Sequence, residues 1–135
     1  MEQSFATKIK QANATLIAEG NLGCIAEFFT PDYLVHFNEK DTAVGHGVIH
    51  KALELIKKAF PKVQVEVKIL VENDNCIAWM RTLSGIQEGA YKGFPASNRE
   101  IVWREMVTSE FRDGLIAKEW VVTDLAERLL LSRKR

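Results

Sequence analysis

Alternating apolar and polar residues in the second half of the chain restrict its fold more than any other feature. Successive side chains of a β-strand point to opposite faces, so strict alternation predicts a strand with one buried face. The first such segment consists of Val63, Gln64, Val65, Glu66, Val67, Lys68 and Ile69. A polar cluster at residues 72–75 follows it and predicts a hairpin turn. We therefore expect antiparallel hairpins in this half of the chain.

Helical spacing dominates the first half. Phe5, Ile9, Ala12 and Leu16 recur at helical intervals, and Ser4 precedes them as a candidate N-cap. The predicted helices cover residues 4–19, 22–29, 48–59 and 125–131. The predicted strands cover residues 33–37, 63–69, 76–87, 101–111 and 115–123, with a loop at 41–47. Helices grouped before hairpins predict an α+β fold. We expect a curved mixed sheet, mainly antiparallel, wrapped around the N-terminal helices, with a cone-shaped cavity suited to a ligand.

Length and charge narrow the range of functions. With 135 residues the chain is expected to be one domain spanning residues 1–135. Its 18 basic and 18 acidic residues balance, so bulk charge predicts no binding to nucleic acid or a membrane surface. No apolar run has membrane-spanning length, and the N-terminus lacks the apolar core of a signal peptide. Cys24 and Cys76 lie outside any CxxC pattern and are expected to be reduced. We expect a soluble, cytoplasmic protein.

Residues 116–124 contain the best candidate for catalytic chemistry. Alternation would place Ile116, Lys118, Trp120, Val122 and Asp124 on one face of a strand. If that face lines the cavity, Trp120 forms an aromatic wall beside Asp124. An apolar wall raises the pKa of a carboxyl group, which can then act as an acid or base near neutral pH. Asp124 also precedes an apolar helical segment, so it is equally a candidate N-cap, and the two roles are compatible.

Two further side chains are candidates for a site on the sheet. One face of the strand at 76–87 would carry Trp79, Arg81, Leu83, Gly85 and Gln87. Arg81 could bind a carboxylate or ester carbonyl of a substrate, or it could form a salt bridge with Glu105 or Glu110. His36 ends the strand at 33–37 and could share proton transfer with Asp124. The alternative for His36 is a structural hydrogen bond.

Other chemistries find little support in the sequence. There is no recognisable activated nucleophile, no phosphate-binding glycine loop and no dinucleotide fingerprint. His46 and His50 have a spacing that can bind a metal on a helix. No carboxylate or cysteine nearby completes a ligand set for them, so we expect no metal.

The strand at 101–111 has two faces with different expected partners. Trp103 shares one face with Glu105, Val107 and Phe111, and residues 103–106, Trp-Arg-Glu-Met, have the mixture of Trp, Arg and Met that interfaces favour. Trp103 is therefore more typical of a core or an oligomer interface than of a ligand site. Val102 and Met106 share the convex face, where a monomer would leave them in water. We therefore expect a homodimer that forms through the sheet.

Seven short segments, in this order, resemble one protein family. They are residues 28–36, 45–47, 59–61, 85–89, 93–97, 111–114 and 119–124, the last being Glu-Trp-Val-Val-Thr-Asp. Together they resemble the SnoaL-like polyketide cyclases, or ester cyclases, of the nuclear transport factor two-like superfamily, over essentially the whole chain. Gln87 stands where this family usually has histidine. Asn98 stands where it usually has glycine, and asparagine also tolerates positive φ.

The resemblance implies a cofactor-free enzyme, usually oligomeric, that closes a ring by intramolecular aldol condensation. It assigns the acid/base role to the aspartate of a Trp-x-x-x-Asp motif, which is Asp124. Removal of an α-proton in this reaction would leave an enolate, whose oxygen needs a hydrogen-bond donor. His36, Gln87 or Arg81 could supply that donor. The catalytic candidates are Asp124 and His36. The candidate substrate-binding residues are Trp120, Arg81, Gln87, Trp79, Tyr33 and Phe60. We expect a small hydrophobic substrate that contains a carbonyl group. The alternatives are an isomerase of ketosteroid type and a non-catalytic module for ligand binding or dimerisation.

Overall fold

The structure of the protein is a computed structural model that describes residues 4–37 and 41–133. Within these residues a six-stranded sheet has the order β2-β1-β6-β5-β4-β3. The strands are β1 (Phe29–Phe37), β2 (Asp41–Val44), β3 (Gln64–Glu72), β4 (Cys76–Ile86), β5 (Glu100–Arg112) and β6 (Leu115–Thr123). The helices are α1 (Phe5–Ala12), α2 (His46–Ala59) and α3 (Leu125–Ser132). Only β1 and β6 pair in parallel, so the sheet is mixed and mainly antiparallel. The predicted fold class is confirmed.

The N-terminal helix changes its winding part-way along. Ser4 caps α1, because its hydroxyl accepts a hydrogen bond from the Thr7 N–H at 3.1 Å. The chain continues as a π-helix at Asn13–Ala18, and a wider turn of this kind is frequent at functional sites. The segment predicted as a second helix is a short 3₁₀-helix at Leu22–Glu27. None of the helices in the described parts of the chain has the length and apolar character needed to cross a membrane.

The segment predicted as a loop at residues 41–47 contains strand β2, so this prediction is wrong. Asp41–Val44 pairs with β1 in an antiparallel ladder, with Ala43 opposite Val35. This edge strand has too few alternating apolar residues to be identified from its own sequence, and its hydrogen bonds come from β1. Gly45 then adopts a φ of +97° at the start of α2, a backbone conformation that is unfavourable for residues with a Cβ atom.

Two apolar clusters fill the space between the sheet and the helices. The first, which we call the upper cluster, packs α1 and β1 against residues of β4, β5 and β6, among them Trp79, Val107 and Val121. The lower cluster centres on Trp103 and Phe60, whose ring centroids are 4.7 Å apart. Leu125 and Leu129 of α3 pack into this lower cluster, so α3 is anchored to the sheet there. Trp103 is therefore a core residue, one of the two environments that the sequence predicted for it.

A bulge in β6 changes which side chains face the interior. Glu110 pairs with Lys118, and the next residue of β5, Phe111, pairs with Ile116. Ala117 is therefore an extra residue on β6. An extra residue reverses the alternation of side chains on its two sides.

The residues of β6 beyond this bulge point the opposite way from the prediction. Glu119 and Val121 are buried in the interior, whereas Trp120 and Val122 keep 37% and 55% of their surface exposed on the outer face. The prediction that Ile116 shares a face with Trp120 and Val122 is wrong for this reason. Trp120 does not form a wall of the cone.

Candidate active site

An arginine, a glutamate and an asparagine meet on the concave face of the sheet, and we call Asn13, Arg81 and Glu105 the arginine cluster. Arg81 of β4 and Glu105 of β5 are directly opposite each other in the ladder. The Arg81 Nε–H and Nη2–H both donate to Glu105 Oε1, at 2.8 and 2.6 Å. The Arg81 Nη1–H donates to Asn13 Oδ1 at 2.8 Å. The predicted salt bridge between Arg81 and Glu105 is confirmed.

Asn13 holds the guanidinium in place from the helical side. Its Nδ2–H donates to the Ile9 carbonyl at 2.9 Å, so its oxygen faces Arg81. Arginine has only donors, and this fixes the orientation of the amide unambiguously. Asn13 is buried at the first position of the π-helix. The helix and two strands therefore fix the guanidinium together.

A second group of polar residues lies deeper on the same face, and we call Tyr33, Trp79, Ser109 and Glu119 the Glu119 network. The Tyr33 hydroxyl donates to Glu119 Oε1 at 2.7 Å, and the Ser109 hydroxyl donates to Glu119 Oε2 at 2.5 Å. The Trp79 indole N–H donates to Ser109 Oγ at 2.9 Å. All four residues are buried, and each buried side chain has a hydrogen-bond partner, as buried polar groups require.

Burial governs the ionisation of the Glu119 network. Desolvation raises the pKa of the Glu119 carboxyl above its usual range, although the hydrogen bonds from Ser109 and Tyr33 act in the opposite direction. Desolvation also raises the pKa of the Tyr33 hydroxyl, and the adjacent Glu119 charge raises it further. Tyr33 therefore stays protonated and acts as a hydrogen-bond donor at any ordinary pH.

A groove between the N-terminal helix and the edge strand β3 borders the arginine cluster at Asn13. Its volume is about 330 Å³, and its lining includes Lys10, Asn13, Val65 and Val67. Asn13 is bonded to Arg81, and Val67 is the residue of β3 that pairs with Arg81. The groove and the arginine cluster are therefore contiguous. A small ligand in this groove would meet Asn13, the member of the arginine cluster whose side-chain oxygen accepts a hydrogen bond from Arg81.

A family model described as SnoaL-like polyketide cyclase matches residues 7–130 of the chain. The chain belongs to the SnoaL-like polyketide cyclase family. This match confirms the family resemblance that the seven short segments carry. No curated protein sequence matches the chain significantly.

Solved structures with this fold align over nearly the whole chain. A SnoaL-like polyketide cyclase from Agrobacterium tumefaciens has a TM-score of 0.76 and 19% identity, over 95% of this chain and 98% of its own. AclR from Streptomyces galilaeus has a TM-score of 0.79 and 22% identity, over 95% and 96%. IdmH from Streptomyces antibioticus has a TM-score of 0.79 and 18% identity, over 94% and 96%. At these identities the likeness shows the fold alone.

Three of the predicted substrate-binding residues of this SnoaL-like chain come together on the concave face. Trp79 and Arg81 are neighbours on β4, with the guanidinium carbon 5.3 Å from the centre of the indole ring. Tyr33 approaches from β1 through its bond to Glu119. The predicted common face of β4 is confirmed, because Trp79, Leu83 and Gln87 are all buried.

Asp124 lies at the end of β6, and its partners are not the predicted ones. Its Oδ1 accepts the Arg104 backbone N–H at 2.8 Å, and its Oδ2 pairs with Arg128 Nε at 3.2 Å. The carboxylate thus extends the ladder between β5 and β6 by one step. These hydrogen bonds hold the carboxylate at Arg104 and Arg128, so they give no support to a place beside Trp120. Asp124 is the N-cap residue of α3, but its side chain bonds none of the helical N–H groups.

His36 and Trp120 are in contact, but on the outer face. Their rings stack with centroids 5.5 Å apart, and the His36 Nδ1 is 3.1 Å from the Thr42 hydroxyl. His36 alternates with the buried residues Tyr33 and Val35 along β1, so it points away from the cone. A proton transfer shared between His36 and Asp124 therefore has no geometric support.

Gln87 and Phe60 have structural positions in this SnoaL-like fold. The Gln87 amide donates to the carbonyls of Gly89 and Phe94, at 3.1 and 3.3 Å, and holds the connection between β4 and β5. Phe60 is fully buried against Trp103 in the lower cluster. The expectation for the family's glycine position is confirmed, since Asn98 has a φ of +56°.

Sequence reasoning missed Asn13, Ser109 and Glu119 as parts of the site and treated Glu105 only as a partner of Arg81. The available signal was a polar residue on an apolar face, which applies to Asn13 on its helix and to Ser109 on β5. Glu119 gave no such signal, because the bulge at Ala117 had to be known first.

The two histidines considered for a metal site have separate partners. The His46 Nε2–H donates to the carbonyls of Phe29 and Thr30, at 3.1 and 2.9 Å, and ties α2 to β1. His50 is 3.9 Å from Glu54 on the helix surface. Among residues 4–37 and 41–133, no group of three His, Cys, Asp or Glu side chains could hold a metal ion.

Proposed function

We propose that this SnoaL-like protein transfers a proton next to the carbonyl group of a small apolar substrate, as a cyclase-type enzyme without a cofactor. The observation that carries the proposal is the arginine cluster, which borders the groove at Asn13. Family membership supports the reaction class, because an aldol ring closure starts by removing an α-proton. The enolate that results carries charge on its oxygen and needs a donor that is already in place.

Arg81 is suited to bind that oxygen. A guanidinium has five N–H groups, of which Glu105 and Asn13 take three among the described residues. The remaining N–H groups are fixed in direction, because the fork is planar and its other arms are bonded. Trp79 and Tyr33 are themselves buried, and the centre of the Trp79 indole ring is 5.3 Å from the guanidinium carbon. Their place in the proposal is to keep the surroundings of Arg81 apolar, while Val65 and Val67 in the lining of the groove bind the hydrocarbon part of the substrate.

The carboxylate that removes the proton has two candidates. Asp124 is the candidate from the family motif. Glu105 is the candidate from the arginine cluster, where it is within 3 Å of the proposed enolate donor. Asp124→Asn tests the first candidate, because asparagine keeps the oxygen that accepts the Arg104 N–H while the titratable group is lost.

The experiment follows loss of the α-proton of ethyl 2-methylacetoacetate in D₂O by proton NMR. Exchange converts the 2-methyl doublet into a singlet, and the rate in buffer alone is subtracted. We expect exchange by the wild-type protein and at least a tenfold loss in Arg81→Lys, because lysine lacks the bidentate fork. The matched control is Arg112→Lys, which alters an exposed ion pair with Asp32 elsewhere. Binding of the ester without exchange would favour the non-catalytic ligand-binding module. A protein that neither binds the ester nor exchanges its proton would refute the proposal.

We also propose a homodimer that forms through the outer face of the sheet. Val102, Met106 and Val122 are 41%, 49% and 55% exposed there. Met106 and Val122 are paired across β5 and β6, and Trp120 follows opposite Thr108, so the apolar surface is continuous. A continuous apolar surface of this kind is typical of protein interfaces.

Light scattering coupled to gel filtration tests the dimer. Val122→Lys is expected to give a monomer at micromolar concentration, because it introduces a charge into the proposed interface. Val71→Lys is the matched control, since Val71 is an exposed valine at the far end of β3. A wild-type protein that elutes with the mass of a monomer would contradict the dimer.

A further inference from the structure

One oxygen of Glu105 is bonded and the other is available. Both Arg81 donors bind Oε1, at 2.8 and 2.6 Å. Among residues 4–37 and 41–133, no hydrogen bond to Oε2 is formed. The carboxylate is therefore held firmly through one oxygen while its second oxygen keeps its lone pairs for a proton.

The neighbouring guanidinium supplies what an enolate requires. Removal of an α-proton is easiest when the base and the oxygen donor are on the same fixed frame, because neither has to reorganise during the reaction. Asn13 fixes the position of Arg81, and Arg81 fixes that of Glu105. The three side chains thus hold a base and an oxygen donor next to each other.

The cluster is also within reach of solvent and substrate. The side chains of Arg81 and Glu105 keep 20% and 12% of their surface exposed, so they are neither sealed in the core nor freely solvated. Asn13 and Val67 flank Arg81 and line the groove of about 330 Å³. The groove meets the cluster at Asn13, and the proposal requires a substrate that extends from the groove past Asn13 to Arg81 and Glu105.

Asp124 and Glu119 are less suited than Glu105 to remove an α-proton. Both oxygens of Asp124 are bonded, to the Arg104 N–H and to Arg128, at the end of the sheet. Both oxygens of Glu119 are bonded as well, and the residue is buried beneath Tyr33 and Ser109. Glu105 alone among these three combines an available oxygen, a fixed position and an adjacent donor.

We propose that Glu105 is the catalytic acid/base of this protein and that Arg81 binds the enolate oxygen, an assignment that rests on the proposed function. The α-carbon–hydrogen bond breaks, the proton moves to Glu105 Oε2, and the electron pair forms the enolate held by Arg81. The enolate carbon then attacks a second carbonyl of the same substrate and forms the new carbon–carbon bond. The resulting alkoxide takes the proton back from Glu105, which returns to its ionised form. The substrate class is a small molecule with two carbonyl groups that can meet in one ring.

The α-proton exchange of ethyl 2-methylacetoacetate separates this assignment from the proposed function. Glu105→Gln is expected to lower the exchange rate at least about 100-fold, the usual contribution of a general base. Glu72→Gln, the matched carboxylate-to-amide control at an exposed residue at the end of β3, is expected to stay within threefold of wild type. Exchange by Glu105→Gln within threefold of wild type would overturn the assignment and leave the proposed function intact. No exchange by the wild type would overturn both.

Two further measurements exclude a purely structural effect. Chemical-shift titration of the ester should give the same dissociation constant for wild type and Glu105→Gln, because a base contributes to the chemical step and not to binding. Glu105→Asp keeps the negative charge that pairs with Arg81, but its shorter side chain moves the carboxylate oxygens away from the α-proton. Such a displacement is expected to lower the exchange rate on the order of 100-fold. An aspartate variant that folds and retains full exchange would overturn the proposal, even if the glutamine variant does not fold.

Discussion

The buried Glu119 provides a sharp test of the interior electrostatics. Its pKa is raised by burial, so the folded protein holds the proton up to a higher pH than the unfolded chain does. For a carboxyl group with a raised folded pKa, stability is greatest when the group is protonated in the folded state, and it falls as the pH rises. The window begins near the unfolded pKa of about 4.3 and ends at the folded pKa. Within that window the slope approaches about −1.4 kcal/mol per pH unit for one proton.

Glu119→Gln removes this slope and keeps the size of the side chain. The amide can accept only one of the two hydroxyl bonds that Tyr33 and Ser109 now donate to the carboxylate. One hydroxyl is left without an acceptor, but a protonated Glu119 in the wild type also has one carbonyl oxygen to offer, so the two proteins share this cost where the carboxyl is protonated. We therefore expect the two proteins to have similar stabilities near pH 5. The variant should become the more stable of the two as the pH rises toward 8, because only the wild type then has to bury a charge or keep a proton.

Urea unfolding at pH 5, 6, 7 and 8, followed by tryptophan fluorescence, measures the difference. Protein concentration is kept constant, because a dimer's stability depends on it. Glu72→Gln is the matched control, since Glu72 is exposed at the end of β3. A difference between wild type and Glu119→Gln that stays constant from pH 5 to 8 would refute the reasoning about the buried charge.

Two other substitutions test how the sheet is connected to its helices. Asp124→Ala should lower the free energy of unfolding by about 1–2 kcal/mol, because the Arg104 N–H loses a charged acceptor. Urea unfolding of this variant and of Asp124→Asn would measure the difference, and equal stability of the two variants would contradict this role. Gly89→Ala should cost about 1–3 kcal/mol, because a Cβ would collide with the Lys58 carbonyl at the end of α2. A melting temperature unchanged from wild type would show that the connection can move aside.

The general shape of the molecule could be predicted from the sequence because its long strands have strong patterns. The alternation in β3 and the clear turns identify the hairpins, and helical spacing identifies α1 and α2. Strand β2 could not be found in this way, since an edge strand of four residues derives its pairing from β1. The change from α-helix to π-helix at Asn13 also had no local signal.

The site was predicted in part, and the error has one physical origin. Arg81 and Trp79 were placed on the right face, because β4 alternates without interruption through them. On β6 the extra residue Ala117 reverses the alternation. A one-residue slip moves every following side chain to the other face. The interior residue is therefore Glu119, and Trp120 beside it is on the outside.

This reversal also changes what the Trp-x-x-x-Asp motif does in the fold. Asp124 takes the place of a strand residue opposite Arg104 and starts α3 at that point. Leu125 and Leu129 of α3 then pack into the apolar cluster that contains Trp103. Asp124 can therefore influence activity through the position of α3 without touching the substrate. If so, activity and melting temperature should fall together in Asp124→Ala and recover together in Asp124→Asn. An aspartate that transfers the proton would instead lose activity in both variants, whatever the melting temperature.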